Sequence, residues 1–131
     1  MGSPDDPFFG GSDKLYYSTE AERMVAELER WHVVAGKVDA YQLGLAIGIR
    51  AQKAQTLDKP INFGNLYSLR DEWVVKMTMF HLYPDLDPKD RKDRMDQHAE
   101  AGIRMLYEHV SAHGGAVTWQ DFIFPTPRVS G

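Results

Sequence analysis

Apolar positions recur at helical spacing in four successive stretches of this chain, and these stretches predict its elements. In the first, Thr19-Glu20-Ala21-Glu22 has capping-box spacing, with a hydroxyl at the N-cap and a carboxylate three residues on. Met24, Leu28 and Trp31 then line one face, Glu22, Arg23, Glu27, Glu29 and Arg30 the opposite one, and Gly36 stops the helix. This pattern is amphipathic and predicts an outer helix. The second stretch, Val38 to Ala51, is nearly all apolar and again opens on a capping box, Asp39 to Gln42. Val38, Tyr41, Leu45 and Ile49 share one side, while Ala40, Leu43, Gly44, Ile47 and Ala51 share the opposite side. A helix with two apolar faces needs two partners, so this segment is expected at the centre of the fold.

Thr56 to Asn65 reads as a loop with a short extended piece. Asn65 or Ser68 then caps a third helix that ends near Pro84 and is expected to be mostly buried. Leu69, Trp73, Met77 and Phe80 lie on one of its faces, and Val75, Met79 and Leu82 on another. Asp87-Pro88, an acidic N-cap before a first-turn proline, starts a fourth helix. It carries a stripe of Met95, Ala99, Ile103, Leu106 and Val110 and stops at Gly114-Gly115. Its first turns, 89–94, mix both signs of charge and read as solvated. Thr118 can cap a last helical turn bearing Phe122 and Ile123, closed by Pro125 and Pro127. Strand-like alternation is scarce. The expected fold is therefore all-α: four main helices and a short C-terminal helical turn, in one domain over 14–131. Residues 1–13, rich in Gly, Pro, Ser and Asp, are expected to form a flexible, disordered N-terminal lead-in. Within it Phe8 and Phe9 are suited to docking on the body or on a partner.

Composition narrows the functional classes. The 131 residues hold 15 basic and 19 acidic side chains, a net charge of -4, where a dedicated nucleic-acid binder would carry a basic surplus. The absence of cysteine excludes disulfides, thiolate metal sites and Cys nucleophiles. It also suits a cytoplasmic location. The N-terminus has neither a basic start nor an apolar run, so no secretory leader is expected, and no stretch is long enough for a membrane span.

Candidate sites follow from particular spacings. Ala40, Gly44, Gly48 and Ala51 form a small-residue seam for close helix packing or self-association. Each mid-helix glycine costs roughly 1 kcal/mol relative to alanine, which calls for a compensating contact. A phosphate cradle does not fit, because the amides of mid-helix glycines are already bonded. Lys89, Arg91, Lys92 and Arg94 are candidates for nucleic-acid contact, although Asp87, Asp90, Asp93 and Asp96 interleave with them. His109 and His113, four apart on one helix face, are the candidate metal ligands. No acidic residue lies between them, however, and His98 is three turns away, so no metal and no cofactor are expected. Asp85 to Asp90 fails as a calcium loop, since its sixth position holds Asp90 in place of glycine. No nucleophile sits beside a base, and no pair of carboxylates is set for acid and base work.

One resemblance adds to this reading. Ala40-Tyr41-Gln42-Leu43-Gly44-Leu45-Ala46-Ile47-Gly48-Ile49-Arg50, following a charged amphipathic helix, resembles a segment of small bacterial proteins associated with DNA phosphorothioation and phage-defence gene clusters. The resemblance implies an accessory subunit of a DNA-modification or restriction assembly, and brings no catalytic residues with it. The expected function is a non-enzymatic helical interaction protein, a subunit or adaptor whose partner is another protein, itself, or both. Two alternatives remain: a DNA-contacting accessory factor using residues 89–94, and a small metal-dependent enzyme built on the helix histidines.

Overall fold

The computed structural model describes residues 6–121. Its elements in chain order are β1 (Lys14–Ser18), α1 (Thr19–Arg30), α2 (Lys37–Ala51), β2 (Pro60–Asn65), α3 (Glu72–Leu82) and α4 (Pro88–Ala112). Single 3-10 turns lie at Leu66–Ser68 and Trp119–Asp121. The expectation of an all-α fold is overturned by β1 and β2. They pair antiparallel from Lys14↔Asn65 to Ser18↔Pro60, with an irregularity between Leu15 and Tyr16, and make the fold mixed α/β. Leu15 and Tyr17 alternate into the core from β1, and Ile61 and Phe63 pack toward it from β2. The Tyr17 and Phe63 rings stack with centroids 4.1 Å apart. The expected turn bearing Phe122 and Ile123 lies outside the described residues.

Helix starts differ from expectation by small shifts with clear causes. Ser18, not Thr19, caps α1: its Oγ accepts the Ala21 amide at 2.9 Å, while the Thr19 hydroxyl donates to the Lys59 carbonyl. α2 begins two residues before Asp39, whose carboxylate instead accepts the Ala35 amide. Asn65 caps the 3-10 turn rather than a long helix, and α3 starts after Asp71, which takes a left-handed φ of 52°. α4 is as expected at both ends. Asp87 accepts the Lys89 amide, and Gly114 and Gly115 leave the helix with φ of +67° and +94°.

α2 takes part in two core clusters. Ala40 and Ile47 join Val25, Leu28, Ile103 and Leu106 on one side, whereas Tyr41 and Leu45 join Phe9, Leu15, Met79 and Met95 on the other. Phe9 is fully buried, and Phe8 lies edge-on to Trp73 and Phe80 at centroid distances of 5.3 and 5.8 Å. Both phenylalanines dock on the body. α3 departs most from the expected burial: Met79 is its one buried residue, and Trp73, Val74 and Leu82 are 62%, 59% and 46% exposed.

α2 and α4 approach each other closely enough to bring backbone against backbone. A Cβ on Gly48 would lie 2.0 Å from the His98 carbonyl oxygen, and one on Gly44 would lie 2.7 Å from that of Ala99. From the other helix, a Cβ on Gly102 would sit 1.7 Å from the Gly44 carbonyl oxygen. The obstacles are backbone atoms, which cannot swing aside as a side chain would, so the helices themselves would have to separate. Gly102→Ala is therefore expected to destabilise the fold by about 3 kcal/mol or more, measured by urea denaturation, despite the better helix propensity of alanine.

Candidate functional site

The small-residue seam packs within the chain. Ala40, Gly44 and Gly48 are buried against α4, and Ala51 sits half-buried at the end of α2. The basic residues of 89–94 do not form one solvated strip. Lys89 is exposed and Arg94 lies over the Tyr83 ring at 5.1 Å, but Arg91 and Lys92 are buried. Arg91 donates to five backbone carbonyls: Pro7, Phe8, Tyr83, Pro84 and Leu86. Its guanidinium also covers the Phe80 ring at 4.8 Å. The expected open basic face is thus half absent, because two of its four members serve the interior. His109 and His113 stack with centroids 4.2 Å apart, yet each is engaged elsewhere. The Thr118 amide donates to His109 Nε2, and His113 Nδ1–H donates to the His109 carbonyl. Among the described residues, no group of three or more His, Cys, Asp or Glu is placed to hold a metal ion.

The structure brings together a charged row, of which the sequence reads Lys92 and Asp96 as solvated and gives Glu100 and Arg104 no role. Lys92, Asp96, Glu100 and Arg104 follow one another at fourfold spacing on one face of α4. Lys92 Nζ lies 2.8 Å from Asp96 Oδ2, and Arg104 Nε donates to Glu100 Oε2 at 3.0 Å. The two carboxylates between them reach the edge of β1 that faces away from β2. Asp96 accepts the Tyr16 amide at 3.5 Å, and Glu100 accepts the Ser18 amide at 3.0 Å and its hydroxyl at 2.5 Å. The match is geometric. Four helical residues rise about 6 Å, and alternate amides of a strand are about 6.8 Å apart. Carboxylates one helical turn apart can therefore meet successive free strand amides. β1 would otherwise present those amides unpaired inside the protein.

Burial sets the electrostatics of this row. Desolvation pushes the Asp96 carboxyl upward, opposed by the Lys92 ammonium and by the bonds from Tyr41 and Tyr16. It also raises the Tyr41 hydroxyl, with the Asp96 charge adding to the effect, so Tyr41 stays a donor to Asp96 at 2.6 Å. A cleft of about 430 Å³, lined in part by Ser12, Tyr16, Lys89, Asp93 and Gln97, reaches Asp96. That carboxylate already accepts from three donors and is 4% exposed. The arrangement covers a strand edge.

The remaining feature is an apolar surface on α3 and its lead-in. Trp73, Val74, Leu82 and Tyr67 are four of the five exposed large hydrophobic residues among those described. Beside them, between α2 and α3, runs a groove of about 260 Å³ lined by Leu45, Ala46, Ile49, Val74 and Val75, with Gln42 and Thr78. Its two polar side chains each bond to nearby backbone. Gln42 exchanges hydrogen bonds with both the amide and carbonyl of Arg70, and Thr78 donates to the Val74 carbonyl. The apolar count of α3 is legible in the sequence, but whether other elements cover it is not. Comparison with protein-family models, curated proteins and solved structures finds no match to this chain.

Glu100→Ala is expected to cost about 3 kcal/mol, since it leaves the buried Ser18 amide and hydroxyl without their acceptor; chemical denaturation measures the loss. A pH prediction comes from His98, which is buried between two partners. Its Nδ1–H donates to the Lys53 carbonyl, and its Nε2 accepts from the Tyr83 hydroxyl. Desolvation lowers its pKa, with the Arg94 charge acting in the same direction. The folded state therefore prefers the neutral ring. This contribution to stability is complete above the unfolded value, about 6.5, and is lost as pH falls below it toward the folded value. Denaturation midpoints should decline as pH falls below about 6.5 in the native chain, and the decline should be shallower in His98→Gln.

Proposed function

We propose that this chain is a non-enzymatic interaction protein, a subunit or adaptor, that docks through α3 and the groove between α2 and α3. The observation that carries this reading is the exposure of Trp73, Val74 and Leu82 on one short helix. A contiguous apolar patch on a folded protein is a standard mark of an interaction site, whereas single exposed apolar residues are not. Tryptophan and tyrosine at such a patch are the residue types that dominate binding energy. The groove agrees with it: five of its seven lining side chains are apolar, and Gln42 and Thr78 are each hydrogen-bonded to nearby backbone. The buried charged row supports the same reading, because its carboxylates are occupied by the fold. The likeness of α2 to proteins of phosphorothioation and phage-defence clusters supports a place for the adaptor in a DNA-modification or defence assembly. Among the described residues, no helix is long and apolar enough to cross a membrane.

Trp73→Ser tests the reading. Its side chain is mostly exposed, so the melting temperature should change little. Affinity purification from the native host should then recover a specific co-eluting protein with the native chain and at least tenfold less of it with the variant. Equal recovery by both chains would place the binding surface elsewhere.

A further inference from the structure

We propose that the cleft between β1, the loop 52–59 and α4 binds a small uncharged polyhydroxyl ligand, a mono- or disaccharide. The cleft holds about 430 Å³, within the roughly 300–1,000 Å³ of small-molecule sites, and no residue of α3 lines it. Hydrogen bonds fix its walls. The Gln55 amide donates to the Gln97 carbonyl at 3.0 Å and His98 donates to the Lys53 carbonyl, which ties the loop to α4. Asp96 accepts the Tyr16 amide, which ties β1 to the same helix. Walls held in this way need little further ordering when a ligand enters.

Ser12, Thr56, Lys89, Asp93 and Gln97 line the cleft, and none of these side chains has a hydrogen-bond or ion-pair partner among the described residues. Lys89 and Asp93 stay unpaired although they are opposite charges four residues apart on α4, whereas the same spacing at Lys92 and Asp96 gives a pair at 2.8 Å. The five side chains offer donors and acceptors together: an ammonium, a carboxylate, an amide that does both and two hydroxyls that do both. Formal charge is balanced as well, with Lys92 answering Asp96 and Lys89 answering Asp93. A phosphate would meet two carboxylates here, and a cation would meet an ammonium. A ring of hydroxyls, each both donor and acceptor, can answer all five side chains without bringing a charge of its own. Tyr16, Leu57 and Pro60 also line the cleft and give the C–H face of a sugar ring an apolar surface.

Titration of the isotope-labelled native chain, with amide chemical shifts as the readout, tests the proposal. Glucose, galactose, mannose, ribose, maltose and lactose are added singly to about 50 mM, with glycine as a zwitterion and inorganic phosphate as an anion for comparison. At least one neutral sugar should give saturable shifts at Tyr16, Thr56 and Gln97, with a Kd on the order of 1 mM. Gln97→Ala and Asp93→Ala should each weaken that binding about tenfold. Both side chains are unbonded within the fold, so the rest of the spectrum should stay native in the variants. Trp73→Ser should bind the sugar as the native chain does. Saturation by none of the sugars overturns the proposal, as does saturation by glycine or phosphate alone, and so does full binding by both cleft variants. None of these outcomes bears on α3, whose test reads a co-eluting protein.

Discussion

The contact between α2 and α4 at Gly44, Gly48 and Gly102 is the constraint on which the other arrangements rest. At this crossing, backbone meets backbone: a Cβ on Gly102 would lie 1.7 Å from the Gly44 carbonyl oxygen. That approach lets a thin helix sit between two apolar clusters, with Ala40 and Ile47 facing one and Tyr41 and Leu45 the other. The helix-propensity cost of the internal glycines, roughly 1 kcal/mol each, is offset by dispersion contacts that a wider spacing would forfeit.

With α4 held there, its charged face meets β1. The row from Lys92 to Arg104 joins the sheet to the helices through hydrogen bonds in place of apolar contact. Taking Lys92, Asp96 and Glu100 out of water is expensive, and such groups are tolerated when their partners are complete. Here the partners are strand amides, a serine hydroxyl and Tyr41. The same Ser18 hydroxyl that donates to Glu100 accepts the Ala21 amide and so caps α1. One residue thus couples the strand edge, the start of a helix and the half-buried Glu100–Arg104 ion pair. The sole buried side-chain hydroxyl without a partner among the described residues is that of Tyr17, whose ring is stacked on Phe63.

Local signals were legible in the sequence, and non-local ones were not. Asp87-Pro88 and Gly114-Gly115 mark the ends of α4 because capping depends on neighbours a few residues away. The two-faced pattern of Val38 to Ala51 likewise announces a central helix. β1 has no reading in the sequence and β2 reads only as a short extended piece, because the strands are five and six residues long and pair across more than forty positions. Gly102 escaped because its role depends on Gly44 of another helix. Alternating charges at fourfold spacing look the same on a wet helix as on one facing a strand edge, so Lys92 and Asp96 read as solvated. For α3 the error ran the other way. Its apolar residues imply burial, but nothing in their spacing says that no element among the described residues covers them.

The five carbonyls around Arg91 bear on how the chain can be shortened. All five guanidinium N–H groups are used, and two of the acceptors, Pro7 and Phe8, belong to the segment before β1. A shortened form starting after Phe9 would strip Nη1 of both acceptors while the charge stayed enclosed, and would empty the slot that Phe9 fills. Within what looks like a dispensable leader by composition, Pro7, Phe8 and Phe9 serve the interior, and boundaries for recombinant versions belong upstream of Pro7.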